Sequence, residues 1–225
     1  MASVSVGRAE ITRAGALLAA CVADHGSAAH RYLASDALLH GPYAPRNLAD
    51  AVHFLCVLHG RHPGVIDLAG SHTVEAAARE WLVTAAKAMA AERAFLTRLA
   101  VAAGPIPSTP GGAEAEGVVQ GQRTALGTLA QSERRGCALG AALALALDWR
   151  VIRRILNAAA ARFGVEAPPL ELGRDEDLRE VADAVVDAGG RGVERAVLFG
   201  GQQIAVQHHG LWDLLEARVQ ARPTP

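Results

Sequence analysis

Four polar residues fall where helical periodicity places apolar ones, and their types could hold a metal ion or move a proton. Each helical residue turns about 100°, which sets Glu92 in the middle of the stripe formed by Trp81, Ala85, Met89, Phe95 and Leu99. Asp148 shares a face with Cys137, Ala141, Ala144, Leu145, Ile152 and Ile155, while Arg150, Arg153 and Asn157 take the other side. His208 aligns with Val193, Val197, Ile204, Leu211 and Leu215, and His59 with Leu48, Val52, Leu55 and Cys56. Two imidazoles and two carboxylates therefore come from four different helices.

A carboxylate buried without a partner costs several kcal/mol, so each must be compensated. One solution is a shared metal: His59, Glu92, Asp148 and His208 are donors suited to Fe or Mn, and bundle cores build such sites from facing helices. His59 or His208 could instead ligate haem iron, and either arrangement would serve redox chemistry. The other solution is structural, in which the same residues pair with one another or with arginines and only fix packing in a non-catalytic interaction or scaffold protein. Donors for it are plentiful, since Lys87 is the one non-arginine among 22 basic residues. The residues alone leave both solutions open.

Weaker candidates accompany these four. Asp50-Ala51-Val52-His53 has carboxylate-x-x-His spacing, Glu133 points inward, and His59-Gly60-Arg61-His62-Pro63 could be a binding turn. His25, His30, His72 and His209 read as surface residues. Cys21, Cys56 and Cys137 show no C-x-x-C spacing and indicate neither a disulfide framework nor a zinc site.

The elements that position these residues are helices. Proline and glycine cut the chain into helix-sized pieces, without the β-branched alternation of strands. The first piece runs from about Ala9 to Ala23, and a second from Ala28 to His40 can be capped by Ser27. Asn47 caps a third, Leu48 to Gly60, and a long fourth begins at Ser71 or Thr73 and passes Leu99. Residues 104–112 form a linker, and the proline-free stretch 113–163 turns at Arg134-Arg135-Gly136, with Gly136 and Gly140 allowing close helix contact. After a loop at 164–173 come a charged helix, Arg174 to Ala188, and a last one, Val193 to Arg218, before a frayed tail at 221–225. The expectation is one all-α domain, a bundle of seven or eight helices over residues 1–225.

With 22 Lys+Arg against 23 Asp+Glu, the chain lacks the basic excess that nucleic acid or an anionic membrane requires. The apolar run Ala138 to Leu147 is about half of a membrane span and reads as a buried helix. A cytoplasmic protein fits this composition, possible as a homo-oligomer and with an unidentified small-molecule ligand. The minor alternative is a lipoprotein processed at Cys21, after Leu18-Ala19-Ala20.

The segments from His40-Gly41-Pro42-Tyr43 through Leu58-His59-Gly60-Arg61-His62-Pro63-Gly64, and Leu211-Trp212-Asp213-Leu214-Leu215-Glu216-Ala217-Arg218, resemble those of an uncharacterised bacterial family of all-helical proteins. That resemblance implies a fold and no activity. More distantly, Gly136-Cys137-Ala138-Leu139-Gly140 resembles the core helix of haem-oxygenase-like bundles, and the inward carboxylates and histidines resemble ferritin-like di-iron proteins. The ferritin-like pattern includes Glu-x-x-His, which is absent here, so the usual paired iron ligands are missing.

Overall fold

The computed structural model describes residues 13–222, and all eight α-helices among them pack around one core. The helices are α1 (Ala14–His25), α2 (Asp36–Leu39), α3 (Ala44–His59), α4 (Val65–His72), α5 (Ala76–Ala103), α6 (Gly112–Ala130), α7 (Cys137–Phe163) and α8 (Asp175–Gln220). No strand occurs among the described residues. The beginning of the first expected helix, Ala9 to Thr12, and the last three residues of the expected tail lie outside them. No described helix is long and apolar enough to cross a membrane.

The central element is α7, whose small and aliphatic residues from Cys137 to Leu147 are buried on every side. Helices α1, α3, α4, α5, α6 and α8 all contact it. Its closest neighbour is α8. A Cβ on Gly140 would overlap the Val197 carbonyl oxygen, and one on Gly200 would overlap the Cys137 carbonyl oxygen. The two backbones therefore touch directly, which only glycine permits at those points. Gly140→Ala is expected to cost about 1–3 kcal/mol through this overlap, as measured by urea unfolding.

Three local expectations are corrected. The expected helix from Ala28 to His40 is two 3-10 turns, Ser27–Ala29 and Arg31–Ala34, followed by the short α2. Side chains reset the backbone there: His30 accepts from the Tyr32 amide, and Ser35 caps α2 through the Leu38 amide. Helix α3 begins at Ala44 with Pro45 in its first turn, before the expected start at Leu48, so Asn47 lies within the helix and does not cap it. Helix α4 was not anticipated, and α5 starts at Ala76, later than Ser71 or Thr73. Asp67 makes α4 possible by accepting from the Gly64 amide at 2.8 Å.

The two helices expected on either side of Gly189-Gly190 are continuous in α8 except at Gly190, whose φ of 72° and ψ of −169° break the helical path. The tail is anchored as far as Arg222, which bonds Thr109, Asn47 and Asp50.

Candidate functional site

All four inward polar residues are buried: His208 is 0% exposed, Glu92 and Asp148 1%, and His59 6%. Three of them converge. Asp148 projects from the middle of α7 toward His208 of α8, and its Oδ2 lies 2.6 Å from His208 Nδ1. On the far side of that imidazole, His208 Nε2 lies 2.9 Å from Nε2 of His59, the last residue of α3. The two rings stand almost perpendicular, at 85°.

The direction of this chain follows from its far end. Ser27 donates to Asp148 twice, from its amide to Oδ1 at 3.0 Å and from its hydroxyl to Oδ2 at 2.6 Å. Its hydroxyl is oriented by Trp212, whose indole N–H donates to Ser27 Oγ at 2.8 Å. Trp212 is one turn beyond His208 on α8, so one helix face carries the histidine and the residue that steadies its partner. Gly26 lets the Ser27 backbone come so close, because a Cβ there would stand 2.8 Å from Asp148 Oδ1.

A carboxylate accepts only, so His208 Nδ1 carries a proton and donates it to Asp148. Neutral His208 then bears its lone pair at Nε2 and accepts from His59 Nε2–H. This leaves the His59 lone pair at Nδ1, since the ring's hydrogen bond among the described residues is made through Nε2. These tautomers follow from the network of partners. Burial first, and second the repulsion that a proton charge taken up by His208 would exert, hold the His59 imidazole well below its ordinary pKa. The resting ring is neutral and able to accept a proton.

His59 lines a cavity of about 50 Å³ with Leu58, Val65, Leu68, Leu126, Arg61 and Arg123. Ligand pockets usually have about 300–1,000 Å³. The space beside His59 does not admit a porphyrin, and the 2.9 Å between the two Nε2 atoms leaves no room for haem iron between the rings.

Glu92 goes elsewhere. From α5 it accepts from the Trp149 indole at 2.8 Å and from Arg153. Trp149 touches both groups, since its ring also packs edge-on against His59 with centroids 5.4 Å apart. Burial pushes the Glu92 carboxyl above its usual pKa, against the opposing pull of the Trp149 and Arg153 donors. Arg153 was expected on the outer side of its helix and is 4% exposed. Its long stem carries the guanidinium over Phe95, with Cζ 4.5 Å from the ring centroid, and it also bonds Asn157 and the Pro168 carbonyl.

The weaker candidates separate in the same way. Asp50 takes a bidentate pair from Arg218, with both distances 2.8 Å, and a further bond from Arg222. His53 instead turns to the Gly104 carbonyl at 2.8 Å, so the carboxylate-x-x-His pair does not act as a unit. Burial raises the thiols of Cys21 and Cys56, which leaves them poor nucleophiles.

His30 and His209 were read as surface residues, yet His30 is 7% exposed, and with Asp213 they place ligand atoms within 4.8 Å of one another. The bonding there suits a hydrogen bond from a neutral imidazole better than a metal. His30 Nδ1 accepts from the Tyr32 amide at 3.2 Å, so Nε2 carries the proton that faces Asp213 Oδ1 at 3.0 Å. A metal-ligating histidine normally does the opposite, donating from its second nitrogen to an acceptor.

Trp149, Trp212 and Arg123 are not singled out by type or spacing, and Ser27 reads from the sequence only as a helix cap. The two tryptophans did carry a signal, because a buried indole N–H needs an acceptor and these lie one residue after Asp148 and four after His208.

No curated protein and no solved structure matches this chain, which leaves the geometry as the guide to function. One family model does match, over residues 22–223, nearly the whole described fold with every residue of the site. The chain belongs to the family of unknown function DUF6975.

Proposed function

We propose that the protein carries an acid–base site at His59, with Asp148 and His208 as positioning residues. The observation that carries this reading is the unbroken hydrogen-bond chain from a buried carboxylate, through one imidazole, to a second imidazole on a cavity wall. In it, a ligand O–H or N–H gives its proton to His59 Nδ1. The positive charge that forms faces His208 and, behind it, the Asp148 carboxylate, which stabilises the charge in a low-dielectric surrounding. Ser27 and Trp212 keep Asp148 from turning away.

A metal at the same place is the second reading, favoured by the carboxylate bonded behind a histidine, the usual support of a metal ligand. It would use the His59 and His208 Nε2 atoms. To complete a four-ligand set with Fe or Mn, Glu92 would have to leave Trp149 and Arg153, and Asp148 would have to leave Ser27 and give up its supporting bond to His208.

Nitrogen-15 NMR of histidine-labelled protein tests the choice. The expected spectrum has His59 protonated at Nε2 and bare at Nδ1, titrating below the ordinary imidazole value of about 6.5. Stability has a matching signature. The unfolded chain takes up this proton near pH 6.5 and the folded chain resists it, so His59 contributes stability above that pH and loses it on acidification. The slope is at most about 1.4 kcal/mol per pH unit for one proton, and His59→Gln should remove that part of it. A His59 already protonated at Nδ1 at neutral pH would overturn the acid–base site. Stoichiometric metal, retained without chelator and lost in His208→Gln, would replace it with the metal reading.

A further inference from the structure

We propose that the cavity beside His59 binds the carboxylate group of a small organic acid, gripped by Arg61 and Arg123. The inference rests on the acid–base reading of His59 for its chemistry and on separate residues for its charge. Arg61 comes from the loop between α3 and α4, and Arg123 from α6, so two cations reach one small space from different elements. No carboxylate lines that space. The nearest candidate, Asp67, is already engaged by Arg93 at 2.9 Å and by the Gly64 amide at 2.8 Å.

Arg123 supplies the sharper observation. Its Nη1 is buried and has no hydrogen-bond partner, and neither arginine forms an ion pair among the described residues. A buried guanidinium nitrogen left unsatisfied is costly unless an acceptor arrives, and the planar fork of arginine matches a carboxylate. Size fits as well: about 50 Å³ holds roughly three to five waters at about 10–15 Å³ each, comparable to a carboxylate and the atom attached to it.

His59 decides how such an anion would be read. Against the ring lie His208 with Asp148 behind it and the uncharged Trp149 indole, and Arg61 and Arg123 line the same cavity as His59. A neutral Nδ1 lone pair opposes a carboxylate oxygen, whereas a protonated Nδ1 becomes a third donor to it. Anion binding and proton uptake at His59 are therefore coupled, each favouring the other.

The test is an acetate titration of the full chain at constant ionic strength, followed by NMR of the His59 ring and the Arg123 Nε–H. Saturable shifts are expected, with affinity rising as pH falls below the ordinary imidazole value of about 6.5, where a ring held below that value takes up its proton. Arg123→Gln should weaken binding at least about tenfold, in line with a lost charge-assisted hydrogen bond. Arg61 is exposed, so Arg61→Gln leaves the core intact and should weaken binding severalfold. His59→Gln should abolish the rise in acetate affinity on acidification. The absence of saturable shifts, wild-type affinity in both arginine variants, or tighter binding of inorganic phosphate than of acetate would each overturn the carboxylate site. Arginine-dependent binding with no pH dependence in the wild type would support the site while overturning the role of His59 as its proton acceptor.

Discussion

Replacing Asp148 by alanine is expected to cost about 3–5 kcal/mol, the usual loss when one member of a buried hydrogen-bonded network is removed. Three donors lose their acceptor at once: the Ser27 amide, the Ser27 hydroxyl and His208 Nδ1–H. Urea unfolding measures the loss, and Ser27→Ala should show a smaller one because the Ser27 amide still reaches the carboxylate. Asparagine at position 148 separates stability from chemistry. Its amide group is a donor where the carboxylate accepted, so His208 must accept at Nδ1 and donate from Nε2. His59 then accepts at Nε2 and turns a proton, instead of a lone pair, toward the cavity. Asp148→Asn is thus expected to fold with less destabilisation than Asp148→Ala and to reverse both histidine tautomers in the nitrogen-15 spectrum. Unchanged tautomers would show that Asp148 does not set the direction of the chain.

Why the sequence revealed the four inward residues but not their partners is a matter of which forces are local. Periodicity reports which side of a helix is apolar, and Glu92, Asp148, His208 and His59 all lie on that side and are buried. Periodicity says nothing about which stripes face each other. That depends on α7 being surrounded and on the direct backbone contact of Gly140 and Gly200 with α8, which brings Asp148 to His208 and leaves Glu92 beyond Trp149. Local capping was the other source of error. Ser27 has the chemistry of an N-cap, but a buried carboxylate from α7 claims its amide and hydroxyl, so a 3-10 turn and no α-helix starts there. The unanticipated α4 depends on Asp67, whose capping role is legible only once His62-Pro63-Gly64 is read as the entry to a helix as well as the end of one. Arg153 was misplaced because its Cα angle was counted without the reach of its side chain. A long stem can carry a charge from the flank of a helix into the core when a carboxylate waits there.

Glu92→Leu is the companion experiment, expected to cost about 3–5 kcal/mol because it strands the Arg153 charge in the core. Arg153 would keep the Pro168 carbonyl, Asn157 and the face of Phe95, none of which neutralises it. Adding Arg153→Met should recover part of the loss, since an apolar pair of similar volume is often as stable as a buried ion pair, while the Trp149 indole N–H stays without its acceptor. The difference between the double variant and the sum of the singles then measures the coupling. The same variants distinguish a structural role from a ligand role. In an ion pair that buttresses Trp149, the histidine tautomers and acetate affinity of the double variant stay near wild type, because the Asp148–His208–His59 chain makes no hydrogen bond to Glu92 or Arg153. If Glu92 is instead a metal ligand, the folded double variant loses metal that wild type retains stoichiometrically, and the histidine signals move with it. That result would tie Glu92 to His59 and His208 as one site and overturn its assignment to the Arg153 pair.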